Sequence, residues 1–200
     1  MNKKYSNYFN KHGYCVVENI ISKELLNFIN IEYDILMKAD KALINPDPDN
    51  MYYRGDDQIP KSFSWYSPFV SESLLVHLNQ KASEVFGVEV SPSYSYTRMY
   101  YKGADMKIHS DRPSCQYSGT INLSIKGKTW PIWFIDRNNN KVAVNLNPGD
   151  ICFYKGTDLE HWRDEFEGEE MLQFFLHYVE TDGIYKDHIF DQRPALGLAK

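Results

Sequence analysis

After Gly87 the sequence takes on strand-like patterning and keeps it almost to the C-terminus. From Ser93 to Tyr101, aromatic and polar residues alternate with the period of two that is typical of a β-strand. Further short apolar or β-branched runs follow, separated by turn residues, at positions 119–125, 130–135, 141–146, 151–154 and 171–179. Many short strands joined by tight turns predict a sandwich or a jelly roll.

Two helices are predicted before this β-rich part. Ser22 is a suitable N-cap for a helix that runs to about Lys41, and Gly87 is a suitable stop for a second helix that begins at Ser71. The apolar residues of the first helix lie near one face: Leu25, Leu26, Ile29, Tyr33, Leu36 and Met37. We therefore expect a mainly β fold with α-helices packed on one face, in a single domain over residues 1–200.

Residues 45–68 show no clear periodicity and are long for a connection within a compact domain. Loops of this length often act as lids or binding loops. The alternative is a surface loop whose aromatic residues only anchor it to the fold. Both interpretations stay open from the sequence.

Composition narrows the class of protein. A net charge of −5 disfavours a general nucleic-acid binder, which normally presents a basic face. The three cysteines lack CxxC spacing, which predicts reduced thiols, with Cys15 and Cys152 in the core. The sequence shows neither a leader nor an apolar run of the roughly 18 residues that a membrane helix needs. We expect a cytoplasmic protein.

His109 and Asp111 form the first candidate pair of metal ligands. Side chains at i and i+2 of an extended segment point to the same face, so both can bind one ion, although such a short spacing also arises by chance. His161 follows a Pro-Gly-Asp turn and a strand, and a jelly roll could bring it beside them. Two imidazoles and one carboxylate leave three open positions on an octahedral Fe(II) ion. Zinc is the rival metal.

The order and spacing of several motifs resemble one family, the Fe(II)/2-oxoglutarate-dependent dioxygenases, in their prolyl-4-hydroxylase and phytanoyl-hydroxylase-like part. The resemblance covers most of residues 13–180. The motifs are Gly13-Tyr14-x-Val16-Val17-x-Asn19, Tyr100-x-x-Gly103-x-x-x-x-x-His109-x-Asp111 and Leu146-x-Pro148-Gly149-Asp150-x-x-x-Tyr154-x-Gly156-x-x-x-x-His161. It implies a double-stranded β-helix (a cupin-like jelly roll) in which His109, Asp111 and His161 bind Fe(II). It further implies 2-oxoglutarate and O₂ as co-substrates, with hydroxylation as the reaction.

The sequence departs from that family where the far carboxylate of 2-oxoglutarate is usually bound. Relatives place Arg or Lys about nine to twelve residues beyond the second histidine, but residues 170–173 read Glu-Met-Leu-Gln. Arg163 is the first candidate for this clamp, since on an extended segment it shares a face with His161, and Lys128 is the second. Tyr100 could add a hydrogen bond. Alternatively, Arg163 pairs with a nearby glutamate and Lys128 is a solvated turn residue.

Arg98 is a candidate substrate contact, with a surface or structural ion pair as the alternative. Arg112, directly after Asp111, could support the metal ligands from outside or bind substrate. His12, His177 and His188 have no ligand spacing, and we interpret them as structural. The resemblance favours a peptidyl or free amino acid such as proline as substrate, then a small metabolite, and a nucleobase last. Two other functions stay open: a metal-binding cupin-like protein that is not an oxygenase, and a catalytically silent binding module.

Overall fold

The computed structural model describes residues 3–42, 54–55, 59 and 61–198. The helices in these ranges are α1 (Lys3–His12), α2 (Lys23–Ala42), α3 (Phe69–His77) and α4 (Asn79–Phe86). The strands are β1 (Tyr14–Val17), β2 (Arg54–Gly55), β3 (Ser62–Tyr66), β4 (Val90–Tyr101), β5 (Met106–His109), β6 (Tyr117–Lys126), β7 (Ile132–Ile135), β8 (Lys141–Val144), β9 (Ile151–Tyr154), β10 (His161–Arg163) and β11 (Glu170–Glu180).

The strands form two antiparallel sheets. The larger has the order β1-β9-β6-β11-β4-β3-β2, and the smaller has the order β5-β10-β7-β8. From β4 to β11 the chain therefore passes repeatedly between the sheets, which is the topology of a jelly roll, or double-stranded β-helix. Ile132 and Phe134 of the small sheet pack against Cys152 and Tyr154 of the large one. The jelly-roll prediction is confirmed.

Strand β11 has two faces with different roles. Leu172, Phe174 and Leu176 belong to the main core, which also contains buried residues of all four helices. Phe175 and His177 alternate with these residues and line a cavity on the opposite face of the strand, because successive side chains of a strand point to opposite faces. The large sheet thus has a core side next to the helices and an inner side. Complete coverage of one face by the N-terminal helices stays a prediction.

The helix boundaries agree with the capping residues in the sequence, but the helices differ from the predicted ones in two details. The Leu25 N–H donates to Ser22 Oγ (3.2 Å), and Gly87 ends α4 in the left-handed region at φ 75°. The second predicted helix, however, divides at Leu78 into α3 and α4. The bend lets α3 contact β4 and β11, whereas α4 contacts β4 and β9. Leu25 does not join the buried stripe, since it is 38% exposed.

The lid hypothesis for residues 45–68 falls mostly outside the described residues. Its last part is a strand, because Ser62–Tyr66 pairs with β4 in the large sheet. Ser62 and Ser64 are buried there, and their polar character concealed the strand in the sequence. A lid therefore cannot include residues 62–66.

Cys15, Cys115 and Cys152 are free and buried, as predicted for reduced thiols. Within the described ranges, we find no helix that combines the length and the apolar character required to cross a bilayer. The single domain over residues 1–200 and the cytoplasmic location stay predictions.

Candidate metal centre

Two neighbouring strands of the small sheet bring the candidate histidines together. β5 ends at His109 and β10 begins at His161, and the two residues are direct partners across the antiparallel pair. Their ring centroids are 4.4 Å apart. Asp111 lies two residues beyond the end of β5, where its N–H donates to the Gly156 carbonyl (2.8 Å).

The potential ligand atoms of these three residues converge on one point. Asp111 Oδ1 lies 3.8 Å from His109 Nε2 and 3.6 Å from His161 Nε2. All three ligand atoms lie within 4.8 Å of one another, a separation that a single metal ion can bridge. The structure thus brings together the residues that the sequence proposed as ligands.

Both imidazoles are oriented for binding through Nε2. His109 Nδ1 lies 2.8 Å from the Lys107 carbonyl oxygen, and His161 Nδ1 lies 2.9 Å from the Leu159 carbonyl oxygen. A carbonyl oxygen can only accept, so each Nδ1 carries the proton and each Nε2 keeps its lone pair. Burial lowers the pKa of His161, outweighing the opposite effect of the Asp111 carboxylate, and this favours the neutral ring that a metal requires.

Gly156 packs directly against the side chain of Asp111. A Cβ at this position would overlap Asp111 Oδ2 and the carbonyl oxygen of Cys115. The glycine of the Tyr-x-Gly motif is therefore required by close contact with a candidate ligand.

Replacing Gly156 by alanine should displace Asp111 and weaken metal binding by about tenfold or more, the effect typical of a disturbed ligand support. Titration of the metal-free protein with Co(II) measures this. Gly183→Ala, in a turn where the three atoms nearest the new Cβ all belong to the side chain of Glu180, is the matched control. Unchanged Co(II) affinity in Gly156→Ala would contradict the steric argument.

A cavity of about 300 Å³ opens beside the three candidate ligands. β4 supplies one wall, because its alternation places Tyr94, Tyr96, Arg98 and Tyr100 on the inner side, as the sequence predicted. The Arg98 guanidinium lies 5.3 Å from the Tyr96 ring centroid and 5.7 Å from that of Tyr100, and it donates to Ser62 Oγ (3.2 Å). The aromatic rings of β4 and the hydrogen-bonded guanidinium of Arg98 therefore line the cavity beside the candidate metal position.

Arg163 is buried in the interior, with 2% of its surface exposed. Its guanidinium lies 4.8 Å from the Trp130 ring centroid and donates to the Trp130 carbonyl, while Nε has no partner. Burial lowers its pKa to about 10, with Tyr100 and Tyr154 opposing this shift. In the part of the chain that the structure describes, no carboxylate forms an ion pair with Arg163. The alternative pairing with a nearby glutamate is therefore not observed.

Further polar groups in the described part of the chain are buried without a partner, although neither they nor Arg163 are among the residues that line the cavity of about 300 Å³. Both amide atoms of Gln173 on β11 are buried without a hydrogen-bond partner among the described residues, as is Thr120 Oγ1 on the adjacent β6. Buried polar groups in native proteins are almost always satisfied, so these donors and acceptors, with the Arg163 Nε, fit a polar ligand between the sheets. Arg163 Nε, Gln173 Nε2 and Thr120 Oγ1 can donate to a carboxylate, whereas Gln173 Oε1 can only accept. A carboxylate such as that of 2-oxoglutarate would accept from the donors of this set.

Lys128 is not part of this interior. Its side chain is 70% exposed and pairs with Glu167 on the surface, as the alternative of a solvated turn residue described. This surface pair favours the solvated alternative over a clamp for a carboxylate between the sheets, and the choice between Lys128 and Arg163 stays a prediction. Sequence position alone could not distinguish it from Arg163.

Arg112 lies at the cavity but is bound to the C-terminal segment. Its NH1 and NH2 donate to the two carboxylate oxygens of buried Asp191 (2.8 and 3.0 Å), and NH1 also donates to Ser114 Oγ (2.7 Å). Asp191 accepts a further hydrogen bond from Tyr66 Oη (2.7 Å). The sequence did not suggest this ion pair between Arg112 and Asp191, and a contact of Arg112 with substrate stays a prediction.

Replacing Arg112 by methionine should lower the free energy of unfolding by about 2 kcal/mol, because buried Asp191 would lose two hydrogen bonds from a positively charged group. Urea unfolding measures the change. Lys81→Met, which breaks the surface pair with Glu84 (2.6 Å), should change stability by about 0.5 kcal/mol or less. Equal effects of the two substitutions would show that the pair between Arg112 and buried Asp191 stabilises the fold no more than a surface pair.

His177 is the residue that sequence reasoning missed. It is buried, lines the cavity and lies 4.5 Å from the Tyr94 ring in a stacked arrangement. Burial lowers its pKa to about 4, although Asp111 acts in the opposite direction. No ligand spacing pointed to His177. The signal in the sequence was strand alternation, which places His177 on the same inner face of β11 as Phe175. His12, in contrast, is structural as interpreted, since it contacts Asp136 (3.2 Å).

Known structures share this architecture. Neither a protein-family model nor a curated protein sequence matches the chain. HygX from Streptomyces hygroscopicus, solved with nickel, 2-oxoglutarate and hygromycin B, aligns with a TM-score of 0.70 and 11% identity, over 91% of this chain and 88% of that one. The prolyl-4-hydroxylase of Pseudomonas putida aligns with a TM-score of 0.65 and 13% identity, over 90% of this chain and 99% of that one.

A third similar structure is SnoK, a non-haem, α-ketoglutarate-dependent carbocyclase of nogalamycin biosynthesis. It has a TM-score of 0.69 and 12% identity, over 91% of this chain and 85% of that one. At such low identities the likeness establishes the fold alone. This chain has the jelly-roll fold of the Fe(II)/2-oxoglutarate-dependent oxygenases.

Proposed function

We propose that this protein is an Fe(II)- and 2-oxoglutarate-dependent dioxygenase that hydroxylates an unactivated C–H bond. The observation that carries the proposal is the convergence of His109, Asp111 and His161 beside a cavity inside the jelly roll. Two imidazoles and one carboxylate leave open positions on Fe(II) for the oxoacid and O₂.

In this function, separate groups of residues bind the metal and 2-oxoglutarate. Bound Fe(II), with 2-oxoglutarate and O₂, supplies the oxidising power, and succinate and carbon dioxide are released. His109, Asp111 and His161 hold the metal. Arg163 binds the far carboxylate of 2-oxoglutarate, because it is a buried cation with an unpartnered Nε and no anionic partner among the described residues. Tyr100, also buried in the cavity wall, adds a hydrogen bond from its hydroxyl to 2-oxoglutarate.

The substrate is a small molecule or an amino-acid-sized group. Tyr66, Tyr94, Tyr96 and Arg98 form the cavity wall, which suits a compact polar substrate with a face that can stack on rings. HygX holds hygromycin B, and a prolyl-4-hydroxylase shares the fold. A peptidyl or free proline-like amino acid and a small metabolite are therefore the substrate classes to test first.

Anaerobic addition of Fe(II) and then 2-oxoglutarate tests the proposal without a known substrate. An oxygenase that chelates the oxoacid should develop a weak visible charge-transfer band. A metal-binding cupin-like protein, including a zinc site, should bind the metal without this band, and a silent binding module should produce no succinate with any substrate. Absence of the band at saturating oxoacid would refute the proposal.

A further inference from the structure

The two carboxylate oxygens of Asp111 have different surroundings. Oδ1 is the oxygen that lies 3.8 and 3.6 Å from the Nε2 atoms of His109 and His161. Oδ2 instead accepts a hydrogen bond from the hydroxyl of Ser118 (3.0 Å). Only one oxygen of this ligand is therefore directed at the candidate metal position.

The hydroxyl of Ser118 is part of a short chain of hydrogen bonds. Its oxygen lies 2.9 Å from His177 Nδ1, and a second possible acceptor, the Cys115 carbonyl, lies at 3.3 Å. Ser118 has a single proton, and the Asp111 carboxylate can only accept it. His177 Nδ1 must then donate to Ser118, which leaves the serine proton for Asp111.

The register of the large sheet sets this chain. His177 on β11 and Ser118 on β6 are direct partners across the antiparallel pair, and both are buried. Stacking on Tyr94 holds the imidazole plane in place, with ring centroids 4.5 Å apart. Without the His177 N–H, the serine hydroxyl would be free to turn to the Cys115 carbonyl.

We propose that Ser118 and His177 are positioning residues that keep Asp111 a one-oxygen metal ligand. By occupying Oδ2, they prevent the carboxylate from binding through both oxygens and so preserve a coordination position. The inference rests on the proposed function, since it assumes that Asp111 binds the metal. It assigns to His177 a role that its sequence context does not suggest.

Co(II) titration of the metal-free protein, without oxoacid, tests the inference independently of turnover. Ser118→Ala and His177→Phe should each weaken Co(II) binding about 10- to 100-fold, the range for lost support of a ligand. The double variant should bind no more weakly than the single variants, because both changes break the same chain. His177→Asn, whose amide N–H can replace Nδ1–H, should restore most of the affinity.

Ser71→Ala is the matched control, since it removes a buried hydroxyl whose hydrogen-bond partners among the described residues are Ser95 Oγ (2.7 Å) and the Pro68 carbonyl (3.0 Å). Its Co(II) affinity should equal that of the unchanged protein even where its melting temperature falls. Equal Co(II) affinity in Ser118→Ala and Ser71→Ala, or additive losses in the double variant, would overturn the inference. Should Ser118→Ala fail to fold, His177→Phe against His177→Asn decides the question.

The same titration distinguishes a failure of this inference from a failure of the proposed function. If Asp111→Ala binds Co(II) as tightly as the unchanged protein, the metal centre itself is wrong and both proposals fail. If Asp111→Ala loses binding and Ser118→Ala does not, only the positioning role fails.

Discussion

Replacement of Asp111 by alanine should reduce succinate formation by at least about a thousandfold and leave the jelly roll folded. The loss follows because, among the described residues, Oδ1 is the carboxylate oxygen that lies at the point where the two Nε2 atoms converge. Asp111 lies in a loop beyond the end of β5 and not within the sheet, so the strand pairing does not depend on its side chain. Succinate release with Fe(II), 2-oxoglutarate and O₂ measures the effect, and circular dichroism checks the fold.

Asp105→Ala is the matched control for this prediction. Asp105 precedes β5, and its carboxylate pairs with Lys107 on the surface. Its removal should leave succinate formation within about twofold, as expected for an exposed ion pair. His161→Ala should repeat the loss seen with Asp111→Ala. Succinate formation that persists in both ligand variants would exclude this metal centre as the source of activity.

Replacement of Arg163 by methionine should raise the apparent KM for 2-oxoglutarate by about a hundredfold, with little change in Co(II) affinity. A buried guanidinium that pairs with a carboxylate contributes about 2–5 kcal/mol to binding, and a hundredfold change lies within that range. The same substitution should leave the free protein equally or more stable, because methionine removes a buried cation that has no anionic partner among the described residues. Oxoacid titrations and urea unfolding give the two readouts.

Lys128→Ala provides the comparison. Its surface pair with Glu167 predicts an unchanged oxoacid requirement. If Lys128→Ala raised the KM for 2-oxoglutarate and Arg163→Met did not, the assignment of the clamp would have to be reversed. A large loss of stability in Arg163→Met would show instead that the guanidinium is a structural element of the barrel.

Much of the fold was predictable because it depends on local patterns. The alternation from Ser93 to Tyr101 predicted β4 and the shared face of Tyr94, Arg98 and Tyr100. Ser22 and Gly87 predicted helix ends, since capping requires only neighbouring residues. Two errors also have local causes. The polar residues Ser62 and Ser64 concealed a strand, and the segment from Ser71 to Gly87, predicted as one helix, gave no sign of the bend at Leu78.

The sequence by itself determined the identities of the candidate ligands. His-x-Asp places two donors on one face of an extended segment, and the later Pro-Gly-Asp turn places His161 at the start of a strand. These are properties of a few consecutive residues, and a resemblance in motif spacing could add the fold that joins them.

The tertiary structure alone decided which polar residues surround those ligands. Arg163 and Lys128 are both basic residues in the β-rich half, and only burial separates them, because one side chain enters the interior and the other enters solvent. Likewise, Ser118 and His177 meet through the register of β6 and β11, 59 residues apart in the chain. Alternation along a strand is encoded locally, but register and burial depend on how distant strands pair, and no short motif specifies that pairing.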